Sequence, residues 1–397
     1  MDRDAHSPTA HVTLKAQRIP DRPGHRWIYA GHLGQVVGQP APGDLVDVLS
    51  PNGRFYGRGF FNPFSKIRVR ILTFEDEPID EGFWRGRFQQ AIRLRERVVT
   101  QTNAYRLIFG EGDRLPGLIA DRYDQTLVMQ TLSYGMDRRK DLLAELLGQE
   151  LSIAAVYLRN DAKSRQLEGL PPERGFLRGK GPTRVEIYEG PARFIVDVDR
   201  GQKTGWFCDQ RENRLVAAKL AAGAEVLEVF CHTGAFGIHA ALAGAASVEG
   251  LDVSEESLAL AREHAGINHV ERQCDYRQAD AFDEMRSLVK TGRRYDLVML
   301  DPPAFARSKQ ALSSALAGYK DINLLGMKLV KPEGFMVTSS CSHPVSADDL
   351  WAAIRLAARD AKRELRLIEQ RGQSADHPIL ASMPETRYLK CFMLQVF

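Results

Sequence analysis

The sequence predicts an α/β protein: a mostly parallel sheet with helices on both faces, preceded by a small β domain and a middle α+β unit that mixes strands with a helix. Three observations predict it. From about Val185 onward, apolar runs alternate with helical stretches, the pattern of strands joined by crossover helices. Within that alternation, Glu225-Val226-Leu227-Glu228-Val229-Phe230 reads as a short strand that passes through Cys231-His232-Thr233-Gly234-Ala235-Phe236-Gly237 into an Ala-rich helix. Earlier, over residues 11–72, short apolar runs such as Leu45-Val46-Asp47-Val48-Leu49 are broken by Pro-Gly and Asn-Gly turns, as in a small barrel. No internal repeat or low-complexity tract interrupts this plan.

The β domain is expected over 1–78. Its stretch from Arg54 to Arg70 carries five basic side chains, Arg54, Arg58, Lys66, Arg68 and Arg70, and five aromatic ones, with no acid among them. Lys66, Arg68 and Arg70 alternate with Ile67, Val69 and Ile71, so a strand there shows cations on one face and apolar groups on the other. Two readings stand: a half-buried strand with a solvated basic face, or an RNA-contacting surface whose aromatics stack on bases. Arg54, Lys66, Arg68 and Arg70 are the candidates for the second.

The middle unit, 79–184, opens with a helix over 81–100, rich in Arg, Gln and Glu with apolar residues at helical spacing. Extended runs at 127–132 and 154–158 and a helix over 138–147 follow, and the loop-rich 170–182 marks the boundary with the last part, 185–397. A second basic group, Lys163, Arg165, Arg174, Arg178, Lys180 and Arg184, lies near Gly- and Pro-rich turns and reads either as a further RNA patch or as a charged linker.

Composition excludes several classes. With 397 residues, 44% hydrophobic and 26% charged, the chain can bury two or three real cores. No window approaches the roughly 18 uninterrupted apolar residues of a membrane span, and Met1-Asp2-Arg3-Asp4 lacks the layout of a secretory signal, so a cytoplasmic location without membrane contact is expected. Cys208, Cys231, Cys274, Cys341 and Cys391 are odd in number and widely spaced, which suits reduced thiols rather than a disulfide framework or a CxxC clip. The ten histidines show no metal spacing, so no metal is expected. A net charge of +3 does not by itself demonstrate nucleic-acid binding.

The last part carries the chemistry. Only Gly234 and Gly237 stand where a dinucleotide fingerprint wants three glycines, which disfavours a pyrophosphate-binding dehydrogenase. Val248-Glu249-Gly250-Leu251-Asp252 reads as a second strand ending in an acid able to accept both ribose hydroxyls, and Asp280 ends a third candidate strand beside where adenine would lie. Taken singly, each acid also reads as a helix cap or turn residue. The glycine turn, Asp252 and Asp280 together fit S-adenosylmethionine. Two further apolar runs end in reactive groups: 297–300 enters Asp301-Pro302-Pro303, and 335–338 enters Ser339-Ser340-Cys341-Ser342. Ligands of open α/β sheets bind outside the carboxyl ends of the strands, so Asp301 and Cys341 can converge there on a flat aromatic base.

With Gly201-Gln202-Lys203-Thr204-Gly205-Trp206-Phe207 leading to Asp209-Gln210-Arg211, with Gly318-Tyr319-Lys320-Asp321-Ile322-Asn323 and with Ala375-Asp376-His377-Pro378, these segments resemble, over nearly the whole chain, a known family. It is the bacterial 23S (large-subunit) ribosomal RNA cytosine-5 methyltransferases that carry an N-terminal PUA domain. The resemblance implies a small β-barrel PUA domain, a middle domain, a class I methyltransferase domain with a Rossmann-like sheet, S-adenosylmethionine as cofactor and ribosomal RNA as partner. It also implies that Gln210, Arg211, Phe230, Gly234, Asp252 and Asp280 bind the cofactor and that Cys341 is the nucleophile. Asp209-x-x-Glu212 reads as a capping box as well, and the two readings are compatible.

The chemistry explains these residue types. Carbon 5 of cytosine is too weak a nucleophile to take a methyl group from a sulfonium until a thiolate adds to carbon 6, a covalent step assigned to Cys341. Asp301 would stabilise the electron-rich adduct at the ring nitrogen, and the Pro302 carbonyl would accept from the exocyclic amine. The base that removes the carbon-5 proton is not assigned; His343 and His377 are candidates by type, with a structural role the alternative for each, and water can suffice. Ala304 stands where many RNA cytosine-5 enzymes have a second cysteine, so this chain would work with one thiol. Cys231, beside the glycine loop, is given a packing role. Two other functions stay open: a methyltransferase acting on a guanine nitrogen through the same Asp-Pro-Pro-x-Phe scaffold, and a catalytically inactive RNA-binding assembly factor. The target nucleotide and the oligomeric state, a homodimer included, are left open.

Overall fold

The computed structural model describes residues 8, 10–16, 24–306 and 308–397; Met1-Asp2-Arg3-Asp4, read above for a leader, lie outside the described residues. The chain divides into two compact units, one of Met1–Ile187, Val196–Cys208 and Ala375–Thr386, the other of Tyr188–Ile195, Asp209–Ser374 and Arg387–Phe397.

In the first unit, period-two alternation builds a six-stranded sheet in the order Trp27–Tyr29, Ile67–Thr73, Phe55–Phe61, Leu45–Leu49, His11–Leu14, Leu33–Val37. Its ladders are antiparallel except for the parallel pair His11–Leu14 and Leu45–Leu49. Val12, Val46, Val48, Val69 and Ile71 share one core with Ile28 and Leu33 of the two outermost strands, so the sheet wraps around that core. Among the described residues no ladder joins those two strands.

A second sheet of the same unit runs Glu173–Arg178, Ala155–Asn160, Thr126–Thr131, Leu118–Tyr123, Ala104–Phe109. The helix Glu81–Val98 begins at Asp80, whose carboxylate accepts the Phe83 N–H at 2.9 Å, a cap that contributes about 1 kcal/mol. Trp84 and Phe88 of that helix and Leu143 and Leu147 of Lys140–Leu151 pack on this sheet in a core that also takes in Phe60 and Leu72 of the first sheet. That shared core is why the first two sequence parts fall in one unit.

In the second unit, seven strands run Cys274–Gln278, Ser247–Asp252, Glu225–Val229, Tyr295–Leu300, Val330–Ser340, Lys390–Val396, Leu365–Arg371. The first five are parallel and the last two join antiparallel. The alternation begins at Glu225 rather than Val185, because Arg184–Glu189 and Ala192–Asp197 form a separate two-stranded sheet. Helices Ala281–Lys290, Leu312–Leu329 and Ala347–Ala361 bury Met285, Ile322 and Ile354 in one core with Val229, Val298, Leu300 and Met336 of the strands. Strand order reverses between Glu225–Val229 and Tyr295–Leu300, which opens the ligand crevice of such a sheet at their carboxyl ends. No helix among the described residues is long and apolar enough to cross a membrane.

Candidate active site

At the end of Glu225–Val229 the backbone turns sharply. Phe230 (φ 62°) and His232 (φ 50°), both carrying side chains, adopt the left-handed conformation, as does Gly234 (φ 74°) before the helix Ala235–Leu242. Such non-glycine positions cost on the order of 1–3 kcal/mol each and cluster at ligand sites. A Cβ on Gly234 would lie 2.5 Å from the Tyr276 hydroxyl, so glycine here makes room for a buried ring. That hydroxyl has no hydrogen-bonding nitrogen or oxygen beside it.

Two of the N–H groups at this helix start are taken. The buried Glu228 carboxylate accepts from Phe236 N at 3.1 Å and from Gly237 N at 3.0 Å. Burial raises its pKa to about 8 against the pull of those two donors. The loop is therefore no phosphate cradle, which agrees with a cofactor whose reactive end is cationic. Cys231 is buried beside it, its thiol pushed up by burial and then by the Glu228 and Asp252 charges, which suits the packing role.

Asp252 closes its strand as expected, Oδ2 accepting the His232 N–H at 2.9 Å and Oδ1 the Ser254 N–H at 3.0 Å. A carboxylate offers about four acceptor positions, so capacity for ribose hydroxyls remains. Asp280 is exposed and caps Ala281–Lys290, Oδ1 accepting from Phe282 N and Asp283 N; the cap reading holds, and Oδ2 stays available. Arg211 is buried, with its guanidinium 3.6 Å from Glu212. The capping box at Asp209-x-x-Glu212 is not formed: Asp209 Oδ2 accepts the Tyr388 hydroxyl at 2.6 Å, and the Glu212 N–H goes to Ser374 Oγ at 3.1 Å. Gln210 is the N-cap residue instead, and its amide donates to Asp301 Oδ1 at 3.0 Å.

Asp301 follows Tyr295–Leu300, and Cys341 follows the neighbouring parallel strand, whose Thr338 is in register with Leu300. The tips are tied together. Ser340 Oγ and Ser342 Oγ, on either side of Cys341, both bond the Tyr319 hydroxyl, at 2.8 and 2.9 Å, while Ser342 Oγ accepts the Ala306 N–H from the Asp-Pro-Pro loop at 3.2 Å. Phe305 of that loop lies over Tyr319 at 4.6 Å, and a Cβ at Gly318 would stand 3.1 Å from its ring. Cys341 is half-buried, whereas Cys208, Cys231 and Cys391 are buried. Pro302 is buried.

Of the two histidines, His343 is exposed and stacks on Tyr388, and His377 is buried between Asp376 and Phe109, a structural setting. Sequence reasoning assigned no role to Tyr319 and did not single out Tyr388 or Lys390. A lysine inside the apolar run from Tyr388 to Leu394 was the available signal. Lys390 is 5% exposed, and its ammonium donates to the Ser342 carbonyl at 2.7 Å and the Tyr388 carbonyl at 2.8 Å.

The basic face of the first sheet is less free than its composition suggests. Acids distant in sequence supply the partners missing from 54–70: Arg58 pairs with Asp47 and Asp76, and Arg70 with Glu111 and Glu168. Arg165 of the second patch is buried on Asp137. Arg54 and Lys66 are exposed, and Arg68 is half-buried. Among the described residues no cluster of three or more His, Cys, Asp or Glu side chains could hold a metal ion.

Residues 13–74 match a family model described as a PUA-like domain, and residues 171–384 one described as an S-adenosylmethionine-dependent methyltransferase. Ribosomal RNA large subunit methyltransferase I of Shewanella denitrificans is 41% identical over 96% of this chain and 100% of its own length. The protein of the same name from Alteromonas mediterranea is 39% identical over 98% and 99%. A Streptococcus mutans structure assigned as an S-adenosylmethionine-dependent methyltransferase superposes with a TM-score of 0.82 at 20% identity, covering 97% of this chain and 99% of that one, and shows the same fold. The chain belongs to the ribosomal RNA large subunit methyltransferase I family, S-adenosylmethionine-dependent enzymes with a PUA-like domain.

Proposed function

We propose that the chain methylates carbon 5 of a cytosine in 23S ribosomal RNA, in the cytoplasm, through a covalent Cys341 adduct. The observation that carries this reading is the bridge between the two strand tips: Tyr319 pins both serines around Cys341, and Ser342 holds the loop that follows Asp301. A nucleophile and a carboxylate fixed at neighbouring tips can engage two edges of one pyrimidine.

The Cys341 thiolate adds to carbon 6 of the base, and the Asp301 carboxyl, in its protonated form, gives its proton to the ring nitrogen as electron density reaches it and takes it back as the thiolate leaves, with the Pro302 carbonyl on the exocyclic amine. Bound S-adenosylmethionine supplies an electrophilic methyl group to carbon 5. Loss of the carbon-5 proton, to water, returns electrons to the ring and expels the thiolate. Gln210, Arg211, Phe230, Gly234, Asp252 and Asp280 form the cofactor site: Asp252 keeps acceptor capacity for ribose, and Asp280 keeps one free oxygen. Arg54, Lys66 and Arg68 contact RNA phosphates, and Arg70 orders their strand.

The test is nucleoside mass spectrometry of ribosomal RNA treated with the protein and cofactor. Cys341→Ala is expected to form no 5-methylcytosine while still binding cofactor in a calorimetric titration. Methylation that survives the substitution and appears on a guanine nitrogen would replace this reading with direct transfer. An unaltered chain with no affinity for the cofactor would point instead to an inactive assembly factor.

A further inference from the structure

The fold leaves the placement of Lys390 unexplained. It sits in the inner strand Lys390–Val396, opposite Ser340 in the antiparallel register, and its side chain reaches the Ser342 carbonyl. Its backbone and its ammonium thus engage the residues immediately before and after Cys341. A buried cation is costly unless it is paired, yet two backbone carbonyls are its hydrogen-bond partners and no carboxylate of the described residues forms an ion pair with it.

We propose that Lys390 is a positioning residue for Cys341: its ammonium, held between the Ser342 and Tyr388 carbonyls, favours the thiolate form of the neighbouring thiol. This rests on the reading of Cys341 as nucleophile and adds the group that ionises it. Burial lowers the Lys390 pKa to about 8; among the charges facing it, Cys341 and Asp349 favour the ammonium and Arg387 opposes it. Coupling is reciprocal, so a thiolate that favours the ammonium is favoured by it to the same extent. Asp349 is engaged by Ser346 in the cap of Ala347–Ala361, and Tyr319, which also faces Cys341, has its pKa raised by burial and stays neutral. Lys390 is therefore the cation available to the sulfur from the final strand.

The measurement is the pH dependence of Cys341 alkylation by iodoacetamide in the full chain, followed by peptide mass spectrometry, with the buried cysteines as internal references. The unaltered chain is expected to show a midpoint below the ~8.5 of an ordinary thiol. Lys390→Met is expected to raise it by about one unit, a roughly tenfold loss of thiolate at neutral pH, and Lys390→Arg to restore most of it. A role confined to tying the loop would leave the midpoint of folded Lys390→Met unchanged, and that result overturns the proposal. Should Lys390→Met not fold, the unaltered chain decides: a midpoint at or above ~8.5 overturns the proposal, and one below supports it. Thiol ionisation is read without methyl transfer. A shifted profile with no 5-methylcytosine would remove the cytosine reading alone, and 5-methylcytosine with an unshifted profile would remove Lys390 alone.

Discussion

The Gln210 side-chain amide donates to Asp301 Oδ1 at 3.0 Å and is itself oriented from behind. Asn213 Nδ2 donates to Gln210 Oε1 at 2.6 Å, and Arg371 Nε donates to Asn213 Oδ1 at 2.9 Å, so each amide can point only one way and Asp301 Oδ1 is held in a fixed position. Asn213→Ala leaves the Gln210 amide free to flip. We expect the single-turnover methylation rate at saturating cofactor to fall about tenfold, ~1.4 kcal/mol. A loss confined to cofactor affinity would contradict this relay.

Gly234→Ala should damage the proposed cofactor loop rather than tune it. The left-handed backbone costs an alanine ~1–2 kcal/mol, and the added methyl meets Tyr276 at 2.5 Å, which overpacking puts at a further ~1–3 kcal/mol. Urea unfolding should report a loss of about 2–5 kcal/mol, and calorimetry a cofactor affinity at least tenfold weaker. Unchanged stability would mean that the Tyr276 contact relaxes at no cost.

On the first sheet, neighbouring cations should separate by phenotype. Arg70→Met strands the nearly buried Glu168 carboxylate and is expected to cost about 3 kcal/mol in denaturant unfolding. Lys66→Ala is exposed and should leave stability within about 0.5 kcal/mol, while lowering the slope of log K against log salt for RNA by about one. An unaltered salt slope in Lys66→Ala would take that strand out of the RNA surface.

Glu228 sets a pH dependence of stability. Its native pKa, raised by burial to about 8, lies above its ordinary value of 4.5, so the native state binds this proton more tightly than the unfolded chain. The stability it contributes is complete below the unfolded value and is lost as pH rises through about 8. Urea unfolding across that window should show stability falling with pH, and Glu228→Gln should flatten the fall. The same slope in both proteins would assign it to other groups.

Much of this was legible in sequence because the relevant signals are local. The apolar runs before Asp301 and Cys341 and the acid at Asp252 each end a strand where periodicity puts them. What escaped is non-local. The partners of Arg58 and Arg70 come from Asp76, Glu111 and Glu168, outside the stretch that looked free of acids. Lys390 meets Ser342 only because an antiparallel strand is inserted beside a parallel one, a pairing no window of sequence displays. The start of the alternation was read too early because a hairpin and a parallel strand share the same period of two.

Glu228 also bears on competition inside a cell. The adenine compounds present at highest concentration carry phosphates, and each would have to evict an internal carboxylate from the amides of Phe236 and Gly237 before settling beside Gly234. A thioether or sulfonium substituent asks for no such exchange. As part of the proposed cofactor site, the loop would screen adenosine derivatives by what hangs from the ribose, and adenosine analogues with neutral or cationic tails are the inhibitors it should admit.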